Sequence, residues 1–213
     1  MTKGDIRSKR CLWVGVAPLV LASKSESRRA LLTAAGLHAE ILPANIDERS
    51  LEHQFFADGG SPEDLAATLA EAKALAVSVL RPEAYCLGAD QTLTLGNTVM
   101  HKPRDFGEAA QSLSMLSGRT HRLTSAFCVA RSGTSLVVDA DCADLHVRAL
   151  DPQSIATYLD LAGPLVLSSV GAYQIEGLGV NLFDRVEGDF ATILGMPMFK
   201  LLAWLRRQHL VAL

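Results

Sequence analysis

The chain has no long apolar run, no strong charge of either sign and no clustered cysteines, and each absence excludes a class of protein. Its hydrophobic stretches break off before the roughly 20 residues that a bilayer span requires, so no membrane partner is expected. A formal net charge of −3 over 213 residues, with an isoelectric point near 6.1, offers no basic face to nucleic acid. Cys11, Cys86, Cys128 and Cys142 lie far apart, form no Cys-x-x-Cys pair and have no histidine at a spacing that suits zinc. Reduced thiols and a cytoplasmic location follow as expectations. Internal repeats, low-complexity tracts and linkers are also missing. With 49% hydrophobic and 20% charged residues, the chain can bury a sizeable core, as one domain or one core with two lobes.

The amino terminus imitates a secretory leader, with a basic stretch from Met1 to Arg10 and a mostly apolar one from Cys11 to Ala22. Gly15 and Pro18 interrupt it, and its end runs into a capped helix that cleavage would damage. Residues 1–17 therefore read as a loose tail and 18–213 as the folded domain.

The most informative stretch is Leu19 to Leu32. A short apolar run meets Ser23-Lys24-Ser25-Glu26, which reads as a capping box with Ser23 at the N-cap and Glu26 at N3. Leu31, Leu32 and Ala35 supply a buried face and Gly36 ends the helix. Arg28 and Arg29 fall near the helix start, where the macrodipole disfavours cations. Backbone N–H groups, two serine hydroxyls and two guanidiniums converging on one spot suit phosphate oxygens.

Farther along, 38–43 contains a short strand and Asn45 to Arg49 a polar loop, in which Asp47 and Glu48 are candidate metal ligands. A helix follows with Ser61 as N-cap and Pro62 at N1, closed by Pro82. Leu65, Leu69, Ala72, Ala76 and Leu80 line one face of it, and Lys73 lies on the flank, able to present its ammonium at a cleft rim. Tyr85 to Asp90 reads as a buried strand ending on the aspartate, where α/β sheets hold ligands. A hairpin about Gly96-Asn97 leads to His101-Lys102-Pro103. Asp105 and Glu108 open the next helix. Two strands, about 121–131 and 136–148, form a hairpin, and Asp151-Pro152 begins another helix that stops at Gly163. The segment 168–179 is too glycine-rich for an ordinary strand. A last hairpin, with its turn at Glu187-Gly188-Asp189, precedes a C-terminal helix. This order gives an α/β fold, a mixed sheet flanked by helices.

Nine fragments in one order carry a resemblance: LASKSESRRALL, Ile46 to Glu48, LAEAKALA, GADQ, HKPRD, LSGRTH, GAYQIEGLG, EGD and GMP. From about Leu19 to Leu205 the chain resembles the Maf family of nucleoside triphosphate pyrophosphatases. The resemblance implies an elongated α/β fold with two lobes around a nucleotide-binding cleft, a homodimer among its expected states, and a divalent cation, magnesium or manganese, as cofactor. It implies hydrolysis of a nucleoside triphosphate to the monophosphate and pyrophosphate, in house-cleaning of nucleotide pools. The family's phosphate-binding residues fall on Ser23, Ser25, Arg28, Arg29, Lys73 and Lys102. Its acidic site falls on Asp47 and Glu48, and its catalytic aspartate on Asp90, as proton acceptor or metal ligand.

The chain departs from the family pattern in places. Glu26 replaces the proline after the second serine, and Gln91 stands where many members have threonine. Glu176 stands where many have the glutamine of Gly-Ile-Gln-Gly. A carboxylate only accepts hydrogen bonds, whereas an amide also donates, so Arg29, Gln91 and Glu176 are the candidate specificity residues. Gln91 and Glu176-Gly177-Leu178-Gly179 resemble the subgroup that cleaves 7-methyl-GTP, and LSGRTH the one that cleaves dTTP and UTP. The alternative is a nucleotide-binding regulator linked to cell division that does not hydrolyse. An exported binding protein rests on the amino terminus alone.

Overall fold

A computed structural model describes residues 11–213; the basic stretch of the leader-like terminus lies outside the described residues. The order of elements is β1 (Leu19–Leu21), α1 (Glu26–Ala34), β2 (Glu40–Ile41), α2 (Glu48–Ala57), α3 (Leu65–Leu80), β3 (Tyr85–Leu95), β4 (Thr98–Met100), α4 (Phe106–Leu116), β5 (Thr120–Arg131), β6 (Thr134–Val147), α5 (Pro152–Ala162), β7 (Phe183–Glu187), α6 (Phe190–Ile193) and α7 (Met198–Arg207). Two 3-10 helices, Gly163–Ser168 and Leu178–Leu182, bracket the glycine-rich segment. The seven strands form one mixed sheet in the order β2-β1-β3-β5-β6-β7, with β4 paired to β3. β1 runs parallel to β2 and β3, whereas β4 and β7 are antiparallel to β3 and β6.

The chain divides into two compact units. The first comprises the described residues up to Gln91 with Ser125–Asp141 and Phe190–Leu213, and the second comprises Thr92–Thr124 and Cys142–Asp189. In the first unit the alternation of a strand's side chains decides which helices cover which face. Leu87 and Ala89 of β3 and Phe127 and Val129 of β5 join the core that holds Leu32 of α1 and Leu201 and Leu205 of α7. The intervening Ala126, Cys128 and Ala130 meet Ala66, Ala70 and Ala74 of α3. These alanines, four apart, form one small-residue stripe that lets the helix lie close to the sheet. Contact is so close at Gly88 that a Cβ there would overlap the Ala70 carbonyl oxygen and lie 2.6 Å from the Ala74 nitrogen.

In the second unit α4 packs on α5. Asp105 accepts from the Glu108 N–H at 2.8 Å and Asp151 from that of Ser154 at 2.7 Å, so both helices begin as their capping residues predict. In the first unit, Ser132 and Gly133 have φ of 51° and 75°, the left-handed pair that a two-residue hairpin turn between β5 and β6 demands.

Several local expectations are corrected. The α1 cap is Ser25, with Glu26 already in the first turn. The polar loop at Asn45 to Arg49 instead turns into α2 at Glu48, with Asp47 as its N-cap. No α2 residue is buried, so no apolar period marked it. α3 begins at Leu65 behind Asp64, and Leu80 is exposed while Ala66, Ala70, Ala74 and Val77 face inward. β3 continues through Asp90 to Leu95. The final hairpin does not form: β7 pairs with β6 and residues 190–193 are helical. The loose tail does not extend to residue 17, because Leu12 N–H donates to the Gly36 carbonyl at 2.7 Å and Val14 N–H to that of Leu210 at 3.0 Å. Trp13 stacks edge-on against Tyr85. All four cysteines are free thiols.

Candidate active site

The first unit gathers most of the expected residues at the ends of β1 and α1 and along the α3 face of β3. β1 is short and wholly buried, as a strand covered on both faces should be. Directly after it, the buried Ser23 accepts two hydrogen bonds at Oγ, from Ser25 N–H at 3.2 Å and from Arg28 Nη1 at 3.1 Å. Both lone pairs are then used and the O–H remains as a donor. Ser25 Oγ caps the helix by accepting from Arg28 N–H at 3.4 Å. The amides of Glu26 and Ser27 lack intrahelical acceptors by their position in the first turn.

Arg28 folds back over this turn, its Nε donating to the Gly195 carbonyl at 2.9 Å. Burial pulls its guanidinium below the usual arginine range, against the opposing pull of the Asp90 and Glu48 carboxylates. It nonetheless keeps its charge at any ordinary pH. Arg29 does not join it: its side chain is mostly exposed and pairs with Glu26 at 3.6 Å. An exposed i,i+3 pair of this kind contributes little.

Asp90 meets Lys73 for a reason that strand geometry supplies. Cys86, Gly88 and Asp90 are alternate residues of β3, and Gly88 lies against α3, so Asp90 points to the same helix. On α3, Lys73 sits in the buried stripe rather than on its flank. The Lys73 ammonium bonds Asp90 Oδ1 and also pairs with Glu48 Oε2 at 3.0 Å. Lys73 and Asp90 are buried, whereas Glu48 at the start of α2 is half-exposed. One cation thus bridges two carboxylates.

Asp47, beside Glu48, is exposed and committed to its cap. Its Oδ1 accepts from Ser50 N–H at 3.1 Å and its Oδ2 from Ser50 Oγ at 2.8 Å, and these bonds hold its carboxyl below the usual range. Gln91, the next residue after Asp90, points to the opposite face. Its amide nitrogen donates among Ser125 Oγ at 3.0 Å, Thr192 O at 3.1 Å and Ile193 O at 2.9 Å, tying β3 to β5 and α6. Lys102 and Glu176 belong to the second unit and are exposed. Two groups have contacts that the sequence does not reveal: the Gly195 carbonyl, 167 positions from Arg28, and Ser125, whose Oγ donates to Thr192 O at 2.7 Å. The only sequence signal for the first was the GMP fragment, which named no partner.

The fold and these groups define an α/β protein with a strand-to-helix site suited to anions beside a buried lysine–carboxylate cluster. The model of the family described as "Maf-like protein" matches residues 18–208, and the chain belongs to that family. It is 49% identical over 202 residues to a nucleoside triphosphate pyrophosphatase of Rhodopseudomonas palustris strain HaA2, covering 94% of this chain and 98% of that one. It is 51% identical over 188 residues to a 7-methyl-GTP pyrophosphatase of Mesorhizobium japonicum, covering 88% and 94%. A 7-methyl-GTP pyrophosphatase of Brucella abortus is 47% identical over 193 residues, covering 91% and 97%.

Proposed function

We propose that this chain is a nucleoside triphosphate pyrophosphatase, which uses water to cut the bond between the α- and β-phosphates and releases the monophosphate and pyrophosphate. One observation carries the reading: the buried Lys73 ammonium bridges the Asp90 and Glu48 carboxylates in the same unit that anchors Arg28 at the serine-lined turn. A candidate phosphate-binding group and a candidate proton acceptor thus belong to one unit. The relatives' names support the same reaction.

Water is a weak nucleophile and the α-phosphorus is screened by negative oxygens, so the site must accept a proton and neutralise charge. Lys73 occupies Asp90 Oδ1, which leaves Oδ2 to take the proton from the attacking water. Ser23 and Ser25 hydroxyls, the first-turn amides of α1 and the Arg28 guanidinium hold phosphate oxygens, and Lys73 offsets the growing charge. From the resemblance come three further roles, Arg29 and Lys102 toward phosphate and Glu176 toward the base. Gln91 acts through the backbone of α6, which its amide nitrogen holds.

The donor chemistry fits a magnesium or manganese ion in part. Among the described residues no three His, Cys, Asp or Glu side chains are grouped to hold a metal. Glu48 and Asp90, however, already converge on one cation, and magnesium is commonly held by one or two carboxylates with substrate phosphates completing its shell. Glu48 and Asp90 would be its protein ligands, while Asp47 has both oxygens taken by the α2 cap. Such an ion, when bound, withdraws charge from the triphosphate oxygens.

The preferred substrate class is 7-methyl-GTP, with dTTP and UTP second, in keeping with two relatives' names and the carboxylate at Glu176. No helix of the described residues is long and apolar enough to cross a membrane, and a cytoplasmic place in nucleotide house-cleaning suits the free thiols. The test is pyrophosphate release from 7-methyl-GTP, dTTP, UTP and CTP with magnesium or manganese. Asp90→Asn is expected to lower turnover of the preferred class about a hundredfold or more, the scale for loss of an acid–base group. Tight binding without turnover of any triphosphate would leave the non-hydrolysing regulator.

A further inference from the structure

Arg28 is a long, flexible side chain, and an arginine that holds an anion from a helix start must first be fixed in one rotamer. Two contacts do this. Ser23 Oγ accepts from Nη1 at 3.1 Å, and the Gly195 carbonyl accepts from Nε at 2.9 Å. Of the five N–H donors of a guanidinium, these use two, and three remain for a ligand.

The second anchor depends on its residue being glycine, on two independent grounds. Gly195 has φ of 98°, a conformation that side-chain-bearing residues rarely adopt. A Cβ built there would stand 3.3 Å from Arg28 Nε and 3.5 Å from Nη2, pressing on the group its carbonyl holds. The turn itself is made by the backbone: Gly195 N–H donates to Thr192 O at 3.0 Å and Met196 N–H to Ala191 O at 3.0 Å. Thr192 O is in turn held by Gln91 and Ser125.

We propose that Gly195 is a positioning residue for the reaction, whose carbonyl aims the Arg28 guanidinium at the phosphates. This inference rests on the phosphate role proposed for Arg28. It makes the loop between α6 and α7 part of the anion site without any side chain there touching the ligand.

The test is a double-mutant cycle read by calorimetric binding of inorganic tripolyphosphate, with no turnover involved. Arg28→Ala is expected to weaken binding about tenfold or more, and Gly195→Ala about three- to tenfold, the range for losing the ordering of one long side chain. The double variant should bind no more weakly than Arg28→Ala, because Gly195 acts only through Arg28. Additive losses, or wild-type binding by Gly195→Ala, overturn the positioning role. Wild-type binding by Arg28→Ala overturns instead the phosphate role, and this inference with it. A second measurement needs no change at Gly195: in the wild-type protein the Arg28 Nε–H signal, assigned by its disappearance in Arg28→Lys, should exchange with solvent more slowly than that of Arg29. Equal exchange refutes the anchor.

Discussion

Acidification to about pH 5 should unfold part of this protein's stability through one residue, His121. The ring opens β5 in the second unit and is 1% exposed. Its Nε2 shares a hydrogen bond with Tyr173 Oη at 2.7 Å, and Nδ1 has no partner among the described residues. Tyr173 and Phe183 pack their rings around it. A charged imidazole there would place a second N–H without an acceptor in an apolar shell. Burial therefore lowers its pKa from 6.5 to about 4, with Asp144 pulling weakly upward, since both Asp144 oxygens are held by Arg122 at 2.8 Å. The folded chain holds its proton less tightly than the unfolded chain. Its contribution is thus fully present above about pH 6.5 and is lost as the pH falls toward about 4. The full window is worth about 3 kcal/mol at 1.36 kcal/mol per pH unit, of which about 2 kcal/mol is gone by pH 5. Carboxylates held low, such as Asp144 and Asp151, lose their contributions below that point, so the interval from pH 7 to 5 isolates the histidine. Urea unfolding across this interval should show a falling stability in the wild type and a much flatter profile in His121→Phe. Parallel profiles for the two proteins would refute the reasoning.

Two further outcomes follow from packing and charge. Gly88→Ala drives a methyl group into the α3 backbone and should cost about 3 kcal/mol or prevent folding, read by thermal unfolding; a loss under about 0.5 kcal/mol would mean that α3 moves freely off the sheet. Lys73→Met leaves the buried Asp90 without its cation and should cost about 3–5 kcal/mol, most of it recovered in Lys73→Met/Asp90→Asn. Equal stabilities for the single and double variants would count against the buried pair.

Local chemistry was legible where it is local in physics. Asp105 and Asp151 announce their helices because an N-cap bond spans three residues, and Gly96-Asn97 announces a hairpin for the same kind of reason. α2 escaped because a helix with no buried residue has no apolar period to detect. Ser23 and Ser25 are both good capping residues, and with Ser23 held by Arg28 it is Ser25 that caps α1. The amino-acid sequence by itself determined the family and most of the order of helices and strands, α2 and residues 190–193 excepted, and it nominated the polar residues expected to handle a triphosphate. Only the tertiary structure decided which of them meet. Lys73 reaches Asp90 because the Ala stripe and Gly88 bring α3 against the β3 face that carries the aspartate. Arg28 and not Arg29 is fixed because a carbonyl 167 residues away lies within its reach. Periodicity reports which side of an element is buried, but a hydrogen bond between distant segments depends on how those buried sides pack, and no local pattern encodes that.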